Sequence, residues 1–271
     1  MRNRARLTIT LPSIMLHQID QAGQRLGVNN RSHAIEKLIS ISLQSRISTA
    51  VILAGGRSSK QLAPFKKIGG QYLFVIMINQ LKKYGFDRIV VCLPKERHGQ
   101  FVQTFGHGDG LGVNIEYSVE VRSLGTAGAI KMAGELLKNE PFLVLHGDIL
   151  TNMNLQDFVE FHTDEQMPAT IAVKPRVGER KYGQVFMQGN KIVKFLKVGT
   201  DQGISIINTG IYLINPIVLN MVAYGRPALL EKDIFPVLAE RDKLSAFIFQ
   251  GLWFDLSNPE QLEEAEKRWV S

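Results

Sequence analysis

Two aspartates and a pair of glycines in this chain directly follow apolar segments that have the composition of buried strands. They are Gly55 and Gly56 after residues 49–54, Asp148 after residues 142–147, and Asp255 after Trp253 and Phe254. Glycine allows a backbone to come close to a ligand, and carboxylates are the hard oxygen donors that divalent cations prefer. These residues therefore indicate a ligand-binding edge where several strands end.

The segments around these residues alternate between strand and helix patterns. The predicted strands cover residues 49–54, 88–93, 115–119 and 142–146, and the predicted helices cover 74–83 and 127–137. This alternation is typical of an α/β fold in which right-handed crossovers join parallel strands. Ligands of such folds bind beyond the carboxyl ends of the strands.

Five short motifs follow one another along residues 50–271. They are Gly55-Gly56, Leu124-Gly125-Thr126-Ala127-Gly128-Ala129, Leu145-His146-Gly147-Asp148, Asn208-Thr209-Gly210-Ile211-Tyr212 and Trp253-Phe254-Asp255-Leu256-Ser257-Asn258-Pro259. As a set they resemble the sugar-1-phosphate nucleotidylyltransferases, which join a nucleoside triphosphate to a sugar 1-phosphate and release pyrophosphate. The resemblance implies a Rossmann-like mixed sheet of the GT-A type with helices on both faces. Without a carboxyl-terminal β-helix, the chain is similar to the short guanylyl- or uridylyltransferases.

The resemblance also implies a set of site residues. Asp148 and Asp255 match the family aspartates that hold Mg²⁺, an ion that suits two carboxylates and substrate phosphate oxygens. Lys197 matches a family lysine near the sugar phosphate. The residues implied to contact nucleotide or sugar are Leu53, Ala54, Gly55, Gly56, Glu120, Gly125, Thr126, Gly128, Asn208 and Thr209.

Several of these residues also have explanations that need no ligand. Gly125 and Gly128 would allow a helix to pack tightly, Asp148 would cap a following helix, and Asp255 would begin an Asx turn. His146 is expected to cap a buried strand rather than to bind metal.

The phosphate-binding loop departs from the family pattern. Ser58 stands for the third glycine and Lys60 for the arginine, so a bidentate fork is replaced by a point charge. Either Lys66 or Lys67 stands for the later family lysine, and the sequence does not decide between them. We expect catalytic contacts from Lys60, Lys66 or Lys67, and Lys197, with turnover weakened or lost.

The net charge of +7 is concentrated in the first 46 residues, which contain seven basic and two acidic residues. A small positive module on a nearly neutral body is typical of a nucleic-acid-binding arm, although a solvated basic terminus has the same composition. Residues 6–11 alternate as in a strand, and two helices are predicted, from Ser13 to Leu26 and from about Asn30 to Leu43. We therefore divide the chain into domains 1–46 and 50–271.

The amino-terminal module is too small to bury a core, and its strand has no partner within the module, so we predict a homodimer or a higher homo-oligomer. Residues 6–11 resemble copy-number repressors and residues 27–35 resemble nickel-responsive repressors, both of the ribbon-helix-helix class. The resemblance implies a two-stranded ribbon in the major groove of double-stranded DNA, and the alternative is a ribbon used only for dimerisation. The implied DNA contacts are Arg6, Thr8 and Thr10 to bases, and Asn30, Arg31 and Ser32 to a phosphate.

Composition limits the class of protein. Hydrophobic residues make up 45% and charged residues 21% of the chain, as in ordinary globular proteins. No apolar run reaches the ~18 residues that span a membrane. The single cysteine, Cys92, excludes an intrachain disulfide, and we expect a cytoplasmic protein.

These observations allow three functions. The main hypothesis is a DNA-binding transcriptional regulator whose body binds a nucleotide or NDP-sugar with weak or lost catalysis. The second is an active sugar-1-phosphate nucleotidylyltransferase that dimerises through the amino-terminal module. The third is an enzyme of this kind that also represses its own pathway.

Overall fold

The computed structural model describes residues 8–28, 30–43, 47–55, 62–177, 182–196 and 204–269. The chain forms two compact units, Met1–Arg46 and Ile47–Ser271. Within the described ranges, no helix is both long enough and apolar enough to cross a membrane.

The first unit contains two helices, α1 (Ser13–Arg25) and α2 (Arg31–Leu43). Both agree with the predicted helices. Residues 8–12 have no regular secondary structure, and Arg6 lies outside the described residues. A strand requires hydrogen bonds to a neighbouring strand, so the ribbon predicted over residues 6–11 has no support in the described chain.

The amino end of α2 is engaged by groups of its own unit. Asn30 Oδ1 accepts hydrogen bonds from the N–H groups of Ser32 at 2.9 Å and His33 at 3.3 Å, as an N-cap does. The Arg31 guanidinium donates Nε to Asp20 Oδ1 at 2.8 Å and Nη2 to Oδ2 at 2.6 Å. The groups expected to hold a DNA phosphate therefore have partners within the unit, and their contact with DNA stays a prediction.

The core of the first unit is small. Ile19 and Ala34 are its buried apolar side chains among those described, whereas Ile9, Ile14, Met15 and Ile39 are exposed. Burial of two aliphatic side chains offsets little of the entropy lost when two helices become ordered. The dimer predicted for this unit stays a prediction with a physical reason behind it.

The second unit is built on strands and helices in alternation. Its strands are β1 (Thr49–Leu53), β2 (Lys67–Ile68), β3 (Gln71–Tyr72), β4 (Arg88–Pro94), β5 (Asn114–Glu120), β6 (Phe142–His146), β7 (Ile149–Thr151), β8 (Ala169–Val177), β9 (Gln184–Gln188), β10 (Lys191–Leu196), β11 (Ile204–Ile214), β12 (Leu244–Ile248) and β13 (Trp253–Asp255). Its helices are α3 (Leu73–Lys83), α4 (Lys95–Phe105), α5 (Gly125–Met132), α6 (Leu155–Glu165), α7 (Phe235–Glu240) and α8 (Pro259–Arg268).

Nine of the strands form one mixed sheet in the order β5-β4-β1-β6-β11-β8-β12-β10-β9. Strands β5, β4, β1 and β6 are parallel to one another, and β11 is antiparallel to both β6 and β8. Apolar cores cover both faces: Ile52 packs into one and its neighbour Val51 into the other. The predicted α/β class with a mixed sheet is therefore confirmed.

One predicted helix is divided. The helix expected over residues 127–137 is α5 followed by a 3₁₀ turn at Ala133–Leu137. Gly134 falls at the change, where its low helix propensity makes the α-helix easy to interrupt.

Candidate active site

The two aspartates singled out in the sequence lie side by side. Asp148 follows β6 by two residues, and β7 then pairs antiparallel with β13 so that Ile149 is opposite Asp255. The Leu256 N–H donates to the Asp148 carbonyl oxygen at 2.8 Å. The short β7–β13 ribbon thus brings the end of a central strand to a residue more than one hundred positions later.

The surroundings of these carboxylates suit a divalent cation. Burial raises the pKa of Asp148, and the nearby Asp255 charge adds to the rise while the His146 charge opposes it. Asp255 Oδ1 accepts from both the N–H and the hydroxyl of Ser257, at 2.9 and 2.6 Å. The predicted Asx turn is therefore present, and it fixes the orientation of the Asp255 carboxylate, which lines the site. The described residues contain no cluster of three or more His, Cys, Asp and Glu that could hold a metal ion, so Mg²⁺ here would need further oxygen ligands from substrate or water.

A close backbone approach joins Asp148 to the end of β1. The Gly147 N–H donates to the Leu53 carbonyl oxygen at 2.9 Å. A Cβ on Gly147 would stand 2.9 Å from that same oxygen. Glycine at this position therefore lets the aspartate lie beside the turn that begins at Leu53.

One cavity, which we call the Glu120 cavity, opens at this edge with a volume of about 690 Å³. The predicted residues that line it are Leu53, Gly55, Glu120, Gly125, Thr126 and Asp148. Ala54 is buried and donates its N–H to the Cys92 carbonyl oxygen, so it supports the turn without lining the cavity. Gly56 and Lys60 lie outside the described residues.

Glu120 is a buried carboxylate in the wall of this cavity. Its Oε2 accepts the Leu124 N–H at 2.8 Å, and its Oε1 would lie 3.5 Å from a Cβ on Gly55. Burial raises the pKa of Glu120 although the Leu124 hydrogen bond opposes the rise. One carboxylate oxygen therefore remains beside the glycine turn, where a ligand could donate to it.

Gly125 and Gly128 allow close packing of a helix, which was the alternative explanation to contact with a ligand. Gly125 has φ +71°, and a Cβ there would lie 2.5 Å from the Ala228 carbonyl oxygen. A Cβ on Gly128 would lie 2.8 Å from the Arg226 carbonyl oxygen. Both glycines allow the start of α5 to contact the segment before residue 230, while Gly125 also lines the Glu120 cavity.

A second cavity of about 580 Å³, the Trp253 cavity, shares His146 and Asp148 with the first. Asn208 and Thr209 line it as expected, together with Asp255. The Thr209 hydroxyl donates to the Ala172 carbonyl oxygen at 2.6 Å, so this side chain is directed into the sheet. Asn208 Oδ1 accepts the Gly210 N–H at 3.0 Å, and its side chain also forms a hydrogen bond with Tyr212.

Glu231 is a site residue that sequence reasoning missed. Its carboxylate accepts the Thr126 hydroxyl at 2.9 Å and the Tyr212 hydroxyl at 3.1 Å. His146 Nε2 lies 3.4 Å from it. His146 lines both cavities, so Glu231 connects the walls of the two cavities.

His146 and Glu231 stabilise one another as an ion pair. Burial opposes the imidazolium, but Glu231, Asp148 and Asp255 together raise the pKa of His146. Burial would raise the pKa of Glu231, but the His146 contact and the Thr126 hydrogen bond together lower this pKa. His146 therefore does more than cap a strand, because three neighbouring carboxylates favour its protonated form.

The structure distinguishes the two neighbouring lysines that the sequence could not. Lys66 donates Nζ to the Leu256 carbonyl oxygen, and its charge opposes the rise in the pKa of Asp148. Lys67 points elsewhere, with its ammonium 5.0 Å from the centre of the Tyr72 ring. Lys66 therefore lies at the site, and Lys67 does not. Lys197 lies outside the described residues.

A mixed α/β sheet with adjoining cavities and paired carboxylates at its strand ends is typical of a ligand-binding α/β domain. Residues 49–270 match the Nucleotidyl transferase family, and the chain belongs to that family. The resemblance drawn from the five motifs is confirmed at this level, whereas residues 1–46 lie outside the match.

Relatives and solved structures agree with this family. The chain is 32% identical to mannose-1-phosphate guanyltransferase of Yarrowia lipolytica over 72% of its own length and 55% of that protein. HddC from Yersinia pseudotuberculosis has the same fold, with a TM-score of 0.72, 22% identity, and coverage of 82% of this chain and 99% of HddC. Its complex with GMP-PN gives a TM-score of 0.69 at 23% identity over the same shares. The chain thus spans little more than half the length of the yeast relative.

Proposed function

We propose that the second unit is a sugar-1-phosphate guanylyltransferase, which converts GTP and a hexose 1-phosphate to a GDP-sugar and pyrophosphate. The observation that carries the proposal is the position of Asp148. It lines both the Glu120 cavity and the Trp253 cavity, and Asp255 lies beside it. Two substrates in the two cavities would therefore meet at a pair of carboxylates.

In this reaction an oxygen of the sugar phosphate attacks the α-phosphorus of the nucleotide. The bond between the α-phosphorus and the oxygen that bridges it to the β-phosphate breaks, and pyrophosphate leaves. Positioning and charge neutralisation supply most of the catalysis of such a transfer. A magnesium ion held by Asp148 and Asp255 would neutralise phosphate charge. Lys66 places a further positive charge beside these carboxylates, and the Trp253 cavity orients the sugar through Asn208.

Glu120 favours guanine as the base. Guanine presents two neighbouring N–H donors on one edge. Glu120 Oε1 would accept from this edge while Oε2 keeps the Leu124 N–H. The pyrimidine edge of UTP or TTP presents one N–H between two carbonyl oxygens, which a carboxylate repels. The similarity to mannose-1-phosphate guanyltransferases and to a protein solved with GMP-PN supports the same base.

Glu120→Gln is expected to reduce kcat/KM for GTP by about tenfold or more while UTP loses less, because a charge-assisted hydrogen bond becomes a neutral one. The measurement is pyrophosphate release with each nucleotide triphosphate. Glu135→Gln, an exposed position, is the matched control. An unchanged ratio of GTP to UTP use in Glu120→Gln would contradict the assignment of the base.

The direct test of the proposed function is pyrophosphate release from a panel of nucleoside triphosphates and sugar 1-phosphates with Mg²⁺. GTP with mannose 1-phosphate is the expected pair. No release with any pair would reject the enzyme, and a GDP-sugar that still raised the melting temperature would then support the regulator hypothesis. The family match and the site favour the enzyme over the regulator, and DNA binding by residues 1–46 stays a prediction.

A further inference from the structure

A single turn of π-helix, Leu230–Ile234, lies between the two cavities. Glu231 and Lys232 from this turn line the Trp253 cavity, and Asp233 lines the Glu120 cavity. Such turns are rare and occur often at functional sites, because the extra residue changes the direction of neighbouring side chains. Here the turn directs consecutive side chains toward two different cavities.

Hydrogen bonds of Leu230, Glu231 and Asp233 hold the π-helical turn in place. The Leu230 N–H donates to the Thr126 hydroxyl at 2.8 Å, and the same hydroxyl donates to Glu231. Asp233 Oδ2 accepts the Leu229 N–H at 2.7 Å. Lys232 is therefore carried by a backbone whose neighbours on both sides are fixed.

The Trp253 cavity is strongly acidic for a site that must accept a phosphate. Asp148, Glu231 and Asp255 line it. Among the described residues that line either cavity, Lys232 is the sole lysine or arginine. Its side chain is exposed, and it forms no ion pair with the acidic residues of the described chain. His146 also lines this cavity, but its imidazole faces Glu231. Lys232 is therefore the lining cation that can offer its charge to a phosphate beside these three carboxylates.

We propose that Lys232 contacts the phosphate of the sugar 1-phosphate in the Trp253 cavity. This inference rests on the proposed function, because it assigns that cavity to the sugar substrate. Lysine is well suited to the task as a compact charge with three donors on a flexible stem. The π-turn gives Lys232 a fixed base, and the cavity gives it a partner only when the phosphate is bound.

The test compares Lys232→Met and Lys232→Arg with the unmodified chain. Loss of one charge-assisted contact in Lys232→Met is expected to raise the KM for mannose 1-phosphate about tenfold and to leave the KM for GTP unchanged. Lys232→Arg is expected to retain most of the affinity. Lys243→Met is the matched control, since Lys243 is exposed and lines neither cavity.

A binding measurement separates this inference from the proposed function. By calorimetry, Lys232→Met is expected to bind GDP-mannose about tenfold more weakly and GMP equally well. If the unmodified chain shows no turnover, the proposed function fails while the two titrations still decide the role of Lys232. Equal changes in the KM for GTP and the KM for mannose 1-phosphate would overturn the role of Lys232. The same holds if Lys232→Met behaves like Lys243→Met, or if the unmodified chain does not bind GDP-mannose.

Discussion

Asp148→Asn is expected to lose magnesium-dependent pyrophosphate release by about a thousandfold, since a metal ion contributes several kcal/mol to transition-state charge. The substitution keeps the shape of the side chain and removes its charge. Because burial and the neighbouring Asp255 already disfavour the ionised form of Asp148, the neutral side chain should leave the melting temperature unchanged or raise it. The loss of activity should therefore occur without a fall in the melting temperature.

Asp157→Asn is the control for this measurement. Asp157 is exposed on α6 and lines neither cavity, so its substitution should change neither quantity. Retained turnover in Asp148→Asn would mean that this carboxylate does not take part in catalysis. A loss of turnover together with a lower melting temperature would mean that the carboxylate is structural. Chelation of Mg²⁺ in the unmodified protein should reproduce the loss without any substitution.

Much of the second unit was predictable because its strands are continuous apolar runs. The strand at residues 142–146 is predicted to the residue, and β4 and β5 extend only one residue beyond their predicted ends. A strand buried on both faces needs apolar side chains throughout, so the signal is strong. The ordered motifs then located Asp148 and Asp255, although the spacing could not show that β7 and β13 pair.

Other parts of the site depend on contacts between distant segments. Glu231 is one acidic residue among 25, and nothing in its local pattern indicates that Thr126, Tyr212 and His146 converge on it. The choice of Lys66 over Lys67 depends on which side chain the segment at the start of β2 directs toward Leu256. Local periodicity carries no information on such long-range contacts.

In the amino-terminal unit, local sequence patterns predicted the helices but not the absence of the strand in the described residues. Its helices were predicted from periodicity and a proline near the start, and both form. The strand was predicted from alternation alone, but strand formation requires a partner that the pattern does not supply. Two neighbouring chains would be needed to test that ribbon.

Gly125→Ala is expected to destabilise the second unit by about 2–4 kcal/mol, from a left-handed φ in a non-glycine residue and a steric clash. Gly125 has φ +71°, and the new Cβ would lie 2.5 Å from the Ala228 carbonyl oxygen. That oxygen accepts the N–H groups of Ala127 and Gly128, so the start of α5 cannot move away without loss of hydrogen bonds. The wall of the Glu120 cavity should be displaced as well, and nucleotide affinity should fall with stability.

Both tryptophans, Trp253 and Trp269, belong to the second unit, so denaturant unfolding followed by tryptophan fluorescence reports on this unit alone. Gly134→Ala is the control: a Cβ there meets no atom within 4 Å, and its φ is not positive. Its free energy of unfolding should stay unchanged or rise by about 1 kcal/mol at most, because alanine reduces the entropy of the unfolded chain. Equal unfolding midpoints for the two variants would show that the contact between α5 and Ala228 can relax, and would contradict the packing role of Gly125.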